Sequence, residues 1–105
     1  MVPTEDTTTD GRARRRWRIS GVVQGVGFRV ATLRRARSLE LSGWVRNTAD
    51  GDVECVGEGD VARLDDLDAF LRMGPPGSAV LGVSVDAEPV AGLGGFVIEQ
   101  DAAAR

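Results

Sequence analysis

Gly21-Val22-Val23-Gln24-Gly25-Val26-Gly27-Phe28-Arg29 runs from an alternating, strand-like segment through a turn with two glycines into an amphipathic stretch that opens at Phe28 and Arg29. Gly25 and Gly27 can take positive φ and let the backbone approach a ligand closely, so successive amide N–H groups can converge on one point. The helix that follows leaves its first amides without intrahelical partners and carries partial positive charge at its start, where an anion of phosphate size settles. Arg29 adds a planar fork of donors matched to phosphate oxygens. A Gly-x-Gly turn alone merely turns the chain. The nucleotide motifs are excluded more firmly: the loop has no Gly-Lys-Ser/Thr ending, the chain has no lysine, and the spacing is not Gly-x-Gly-x-x-Gly.

Outward from this loop the periodicity predicts a simple order of elements. Arg16 to Val23 alternates, with Trp17, Ile19 and Gly21 on one face and Arg16, Arg18 and Ser20 on the other. Phe28 to Leu39 follows helical spacing, with Phe28, Thr32, Leu33, Ala36 and Leu39 as the inner stripe and Arg34, Arg35 and Arg37 outside. Ser42–Thr48 and Asp52–Val56 read as strands joined by Thr48-Ala49-Asp50-Gly51, because Asp-Gly supplies hairpin-turn dihedrals. Asp60 caps a second helix that turns Val61, Leu64, Leu67, Phe70 and Leu71 inward and stops at Gly74-Pro75-Pro76. Leu81, Val83 and Val85 alternate as a fourth strand, and Phe96 with Ile98 marks a short fifth. The order β-α-β-β-α-β predicts an α+β split βαβ sandwich, an antiparallel sheet with two helices on one face. Parity on the second strand puts Val45 and Asn47 on the helix side, where Arg29 starts its helix, so the two polar groups can converge on one pocket.

Composition sets the bounds. With 105 residues, 42% hydrophobic and 28% charged, the chain makes one globular domain. No apolar run reaches the length of a membrane span and the N-terminus lacks a secretion-type apolar run, so the expectation is a cytoplasmic protein without a membrane partner. Cys55 is the only cysteine and there is no histidine, which excludes an internal disulfide, a cysteine–histidine pair and the common zinc sites. Cys55 alternates with Val53 and reads as a buried small apolar residue. Charge is uneven. Residues 1–50 carry ten arginines against five acids, net +5, and residues 51–105 carry three arginines against eleven acids, net −8, so the anion loop lies in the basic half.

A second segment, Gly43-Trp44-Val45-Arg46-Asn47-Thr48-Ala49-Asp50-Gly51, extends the pattern, together with Ala36 in the helix and Asp50-Gly51-Asp52-Val53-Glu54 after it. In this order and spacing, the run from Gly21 to Gly51 resembles the acylphosphatases, and the resemblance extends over roughly residues 15 to 100. It implies a ferredoxin-like fold and hydrolysis of the carboxyl–phosphate bond of acyl phosphates. The implied phosphate-binding residues are Gln24, Gly25, Val26, Gly27, Phe28 and Arg29, with Arg29 and Asn47 catalytic and Asn47 orienting the attacking water. Neither metal nor cofactor is implied. The boundaries expected are a disordered tail over 1–14, the domain over 15–101 and a C-terminal tail over 102–105. One departure stands out: many members carry glycine where the first helix ends in a left-handed residue, and this chain has Glu40. A positive φ there costs on the order of 1 kcal/mol.

Two other classes remain to be weighed. Arg12-Ala13-Arg14-Arg15-Arg16-Trp17-Arg18 invites an RNA-binding reading. RNA-recognition sheets stack bases on aromatics of the central strands, whereas the open-face positions of those strands are Arg16, Arg18 and Ser20 on the first and Asp52, Glu54 and Val56 on the third. The arginine run then reads as a solvated strand edge, and nucleic acid is not an expected partner. The other class is an accessory domain that binds an acyl or carbamoyl phosphate without turning it over. The expectation is a monomeric enzyme acting on a small-molecule acyl phosphate. Its all-arginine basic set, with abundant Ala, Gly and Val, suggests a bacterial source.

Overall fold

A computed structural model describes residues 11–92 and 94–102. Most of the expected N-terminal tail, residues 1–10, lies outside the described residues, as do Leu93 and residues 103–105. The elements are β1 (Arg12–Val22), α1 (Phe28–Ser38), β2 (Ser42–Asn47), β3 (Val53–Asp60), α2 (Val61–Met73), β4 (Ala79–Glu88) and β5 (Phe96–Ile98). β1 begins at Arg12, opposite Asp60 of β3, so residues 12–14, expected in the tail, belong to the sheet.

The strands lie in the order β4-β1-β3-β2-β5. Four are antiparallel neighbours, and β5 runs parallel to β2, pairing Gly43 with Phe96 and Val45 with Ile98. The sheet is therefore mixed where an antiparallel one is expected. A chain leaving the far edge strand β4 has to cross to the opposite edge, and this fixes the direction in which β5 arrives. One face of the sheet and the inner stripes of both helices make a single core, in which Trp17, Ile19, Val45, Val53 and Cys55 meet Phe28, Ala36, Leu64, Leu67 and Leu71. This is the α+β ferredoxin-like sandwich. Cys55 is fully buried, and that burial pushes its thiol pKa up. The one polar atom of Trp17 finds a partner: the indole N–H donates to Asp68 Oδ1 at 2.9 Å.

β4 departs from its expected alternation. The register with β1 shifts between Ser20 and Gly21, so that Ser20 faces Gly82 and Gly21 faces Val80, leaving Leu81 as the extra residue. Val80 and Val83 pack on the core, while Leu81 stands 82% exposed.

The other face of the sheet is a lattice of ion pairs. Glu88 accepts from Arg14 Nε at 2.8 Å and Arg16 Nε at 2.6 Å, and Glu54 accepts from Arg46 Nε at 3.0 Å and from Arg16. The guanidinium groups of Arg16 and Arg46 lie 5.4 and 4.7 Å from the Trp44 ring centre. At one end, the buried carboxylate of Glu58 accepts the N–H groups of Ala91 and Gly92 at 2.7 and 2.8 Å, pinning the segment that leads to β5.

Candidate active site

The loop between β1 and α1 adopts the conformation that its glycines permit: Gly25 has φ 74° and Gly27 φ 79°. Gly27 is the N-cap of α1 in left-handed geometry, with no side chain capping the helix and no acidic residue in its first turn. The first intrahelical donor is Ala31, whose N–H reaches Gly27 O at 3.1 Å, so the amides of Phe28, Arg29 and Val30 have no helical acceptor. α2 differs, since Asp60 caps it by accepting the Ala62 N–H at 3.0 Å. Of the two helices among the described residues, α1 is the one whose positive end is left open to an outside anion.

A pocket of about 180 Å³ opens at this end, with Gly25, Gly27 and Arg29 on its polar side and Val23, Phe28, Val30 and Ile98 on its apolar side. Arg29 Nη1 donates to Asp101 Oδ1 at 3.1 Å, so the guanidinium already engages an oxyanion. Of the other expected phosphate-binding residues, Phe28 buries its ring in the core and Val26 packs partly against that core, so it is their backbone amides that can serve a phosphate. The Gln24 side chain turns away from the pocket. Its Nε2 donates to Thr48 O at 2.9 Å and Asp52 O at 2.8 Å, tying the loop to the β2–β3 hairpin.

Asn47 ends β2 on the helix side, as parity predicts, and is 8% exposed. Its Oδ1 is buried and accepts no hydrogen bond from any of the described residues. An orphaned buried acceptor costs about 1–3 kcal/mol, and such a group in a native fold calls for an external donor. Asn47 is not among the residues lining the pocket, but the C-terminal segment links it to Arg29: the Asp101 carboxylate takes Arg29, and the next residue, Ala102, donates its N–H to Asn47 O at 3.0 Å. Asp101 and the strut formed by Gln24 escape sequence reading. An isolated acid near a terminus carries no periodic signal, and the direction of a glutamine amide depends on the hairpin it meets.

The family model for acylphosphatases matches residues 15–98. The chain belongs to the acylphosphatase family. It is a hydrolase acting on an acid anhydride, the carboxyl–phosphate bond of acyl phosphates. An acylphosphatase of Pseudomonas aeruginosa is 48% identical over 82 residues, 78% of this chain and 90% of that protein. One from Synechococcus is 52% identical over 79 residues, covering 75% of this chain and 66% of the relative. The solved structure of a Coxiella burnetii acylphosphatase superposes with a TM-score of 0.83 at 34% identity, over 86% of this chain and 95% of that one. A structure of full-length HypF in its phosphate- and nucleotide-bound form matches with a TM-score of 0.80 at 26% identity, over 87% of this chain and 12% of the larger one. Among the described residues no helix is long and apolar enough to cross a membrane.

Proposed function

We propose that acyl phosphate hydrolysis in this chain is carried by Arg29, the backbone of residues 24–29 and Asn47. The open start of α1 and the Arg29 fork receive the phosphoryl oxygens, and Asn47 orients the water. Water attacks phosphorus, the bond to the bridging oxygen breaks, and the carboxylate leaves with the electron pair. A carboxylate with a pKa near ~4 is a stable anion at neutral pH, so no general acid is needed to assist its departure. The water's proton passes to a phosphoryl oxygen of the substrate. Transfer of this kind depends on positioning and on stabilising charge on the equatorial oxygens, which fixed amides and a guanidinium supply.

The observation that carries the assignment is the orphaned Oδ1 of Asn47. It is an acceptor held ready for the O–H of a water, tied through residues 101 and 102 to the cation that would hold the phosphate. The charge lattice on the open face also supports a small-molecule substrate over nucleic acid, because Arg14, Arg16 and Arg46 each face a carboxylate of the same sheet and Arg18 faces Asp52 in the β2–β3 connection. The same reading takes the chain as a cytoplasmic monomer, and the lone thiol of Cys55 fits a reducing compartment.

The HypF match keeps a second reading in view, a domain that holds an acyl or carbamoyl phosphate within a larger protein. The higher identity to the Pseudomonas and Synechococcus proteins favours hydrolysis. Benzoyl phosphate hydrolysis by wild type and Arg29→Lys decides between them. A lysine offers a point charge in place of a planar fork, so the variant should fold normally and lose on the order of 10²–10³ in kcat/KM. A lysine variant retaining more than about a tenth of wild-type activity would remove Arg29 from the clamp, and an inactive wild type would favour the binding domain.

A further inference from the structure

The apolar side of the Arg29 pocket has no part in the chemistry above. Val30 and Ile98 are 45% and 37% exposed, yet both line the cavity that Gly25, Gly27 and Arg29 share. They come from different elements: Val30 from the first turn of α1, Ile98 from the end of β5, where pairing with Val45 fixes it on the helix side with Phe96. We propose that Val30 and Ile98 form an acyl subsite that selects substrates whose acyl group is uncharged and apolar. The proposal rests on the reading that Arg29 and the loop hold the phosphoryl group.

The covalent structure of the substrate makes the placement specific. The acyl carbon is joined to phosphorus through one bridging oxygen, so a phosphoryl group on the loop amides leaves the acyl group at the wall beside them. The loop amides do not read that group, but the two side chains can. Contact with a branched or aromatic acyl chain would cover apolar surface that is otherwise exposed. An acyl group ending in a carboxylate gains nothing from this wall and brings a second negative charge toward the Asp101 carboxylate that pairs with Arg29. Like charges at such a site disfavour binding.

The test compares kcat/KM for benzoyl, acetyl and succinyl phosphate in wild type, Ile98→Ser and Ile98→Ala. Leaving-group reactivity is the same for every enzyme variant and cancels when substrate ratios are compared. Ile98 is exposed, so the variants should keep the wild-type melting temperature within a few degrees. A shallow pocket discriminates less than an enclosed one, so the benzoyl-to-acetyl ratio should fall about three- to tenfold in each variant while acetyl phosphate is hydrolysed within about twofold of wild type. Ile98→Arg, which places a cation in the wall, should raise succinyl phosphate relative to benzoyl phosphate. Ratios unchanged in variants that still cleave acetyl phosphate would overturn the subsite alone. A wild-type chain inactive on all three substrates would overturn the reading of the site as well.

Discussion

Arg29 and Asn47 are both polar groups at the edge of a core, but their surroundings differ in a way that predicts different kinetics. Arg29 already binds a carboxylate oxygen, so the role proposed for it is to hold an anion in ground and transition states alike. Asn47 has an acceptor unfilled by the described residues, so the role proposed for it is in the step that uses water. Asn47→Ala should lower kcat by about two orders of magnitude or more while inorganic phosphate inhibits with an unchanged constant. Weakened phosphate inhibition in that variant would assign Asn47 to binding the anion. The site is also where sequence reading reached furthest. The positive φ of Gly25 and Gly27 follows from residue type, and the burial of Asn47 with Val45 follows from parity. Glu40, just past α1, takes the left-handed φ of 56° considered for it in the sequence, and its side chain pairs with Arg63.

Among the elements, the loop and the hairpin are joined by a single amide, that of Gln24. Both acceptors are carbonyl oxygens, those of Thr48 and Asp52, so the side chain must donate. Gln24→Glu replaces the donor with a carboxylate facing two carbonyls, an arrangement that favours the protonated acid and raises its pKa. Relative to wild type at each pH, the variant should be most active in acid and lose activity as pH rises and the carboxyl ionises. A variant whose activity relative to wild type is the same at every pH would show that the strut does not position the loop. The elements themselves were legible where periodicity carries them, as in β1, both helices and the β2–β3 hairpin. β4 was misread at Leu81 because a bulge inserts one residue without changing composition, and it moved Val80 to the core and Leu81 to solvent. The parallel pairing of β5 was not legible either. Three residues cannot announce a direction, which is set by the crossing of the segment after β4, held by Glu58, to the opposite edge of the sheet.

The whole molecule separates its charges by function. The open face balances arginines against acids, and several of those carboxylates titrate below their ordinary values. Burial alone would raise Glu54, but hydrogen bonds from Arg46 and Arg16 outweigh it, and Glu88 is lowered in the same way by Arg14 and Arg16. A carboxylate whose folded pKa lies below its unfolded value stabilises the fold above the unfolded value, and that stability is lost as pH falls through the lowered one. Thermal melts should therefore show constant stability from neutrality down to about pH 5 and a steep loss below about pH 4. Glu54→Gln should flatten the acid limb.

The side chains assigned to the chemistry are an arginine and an asparagine, and the chain has no histidine to serve as a general acid or base. The most direct test of catalysis by positioning is the pH profile of kcat/KM for benzoyl phosphate, measured with and without EDTA. The account predicts a profile flat between about pH 5 and 8 once substrate ionisation is removed, with the same rate in chelator. An enzyme-borne limb within that range, or activity lost to EDTA and restored by magnesium, would contradict it.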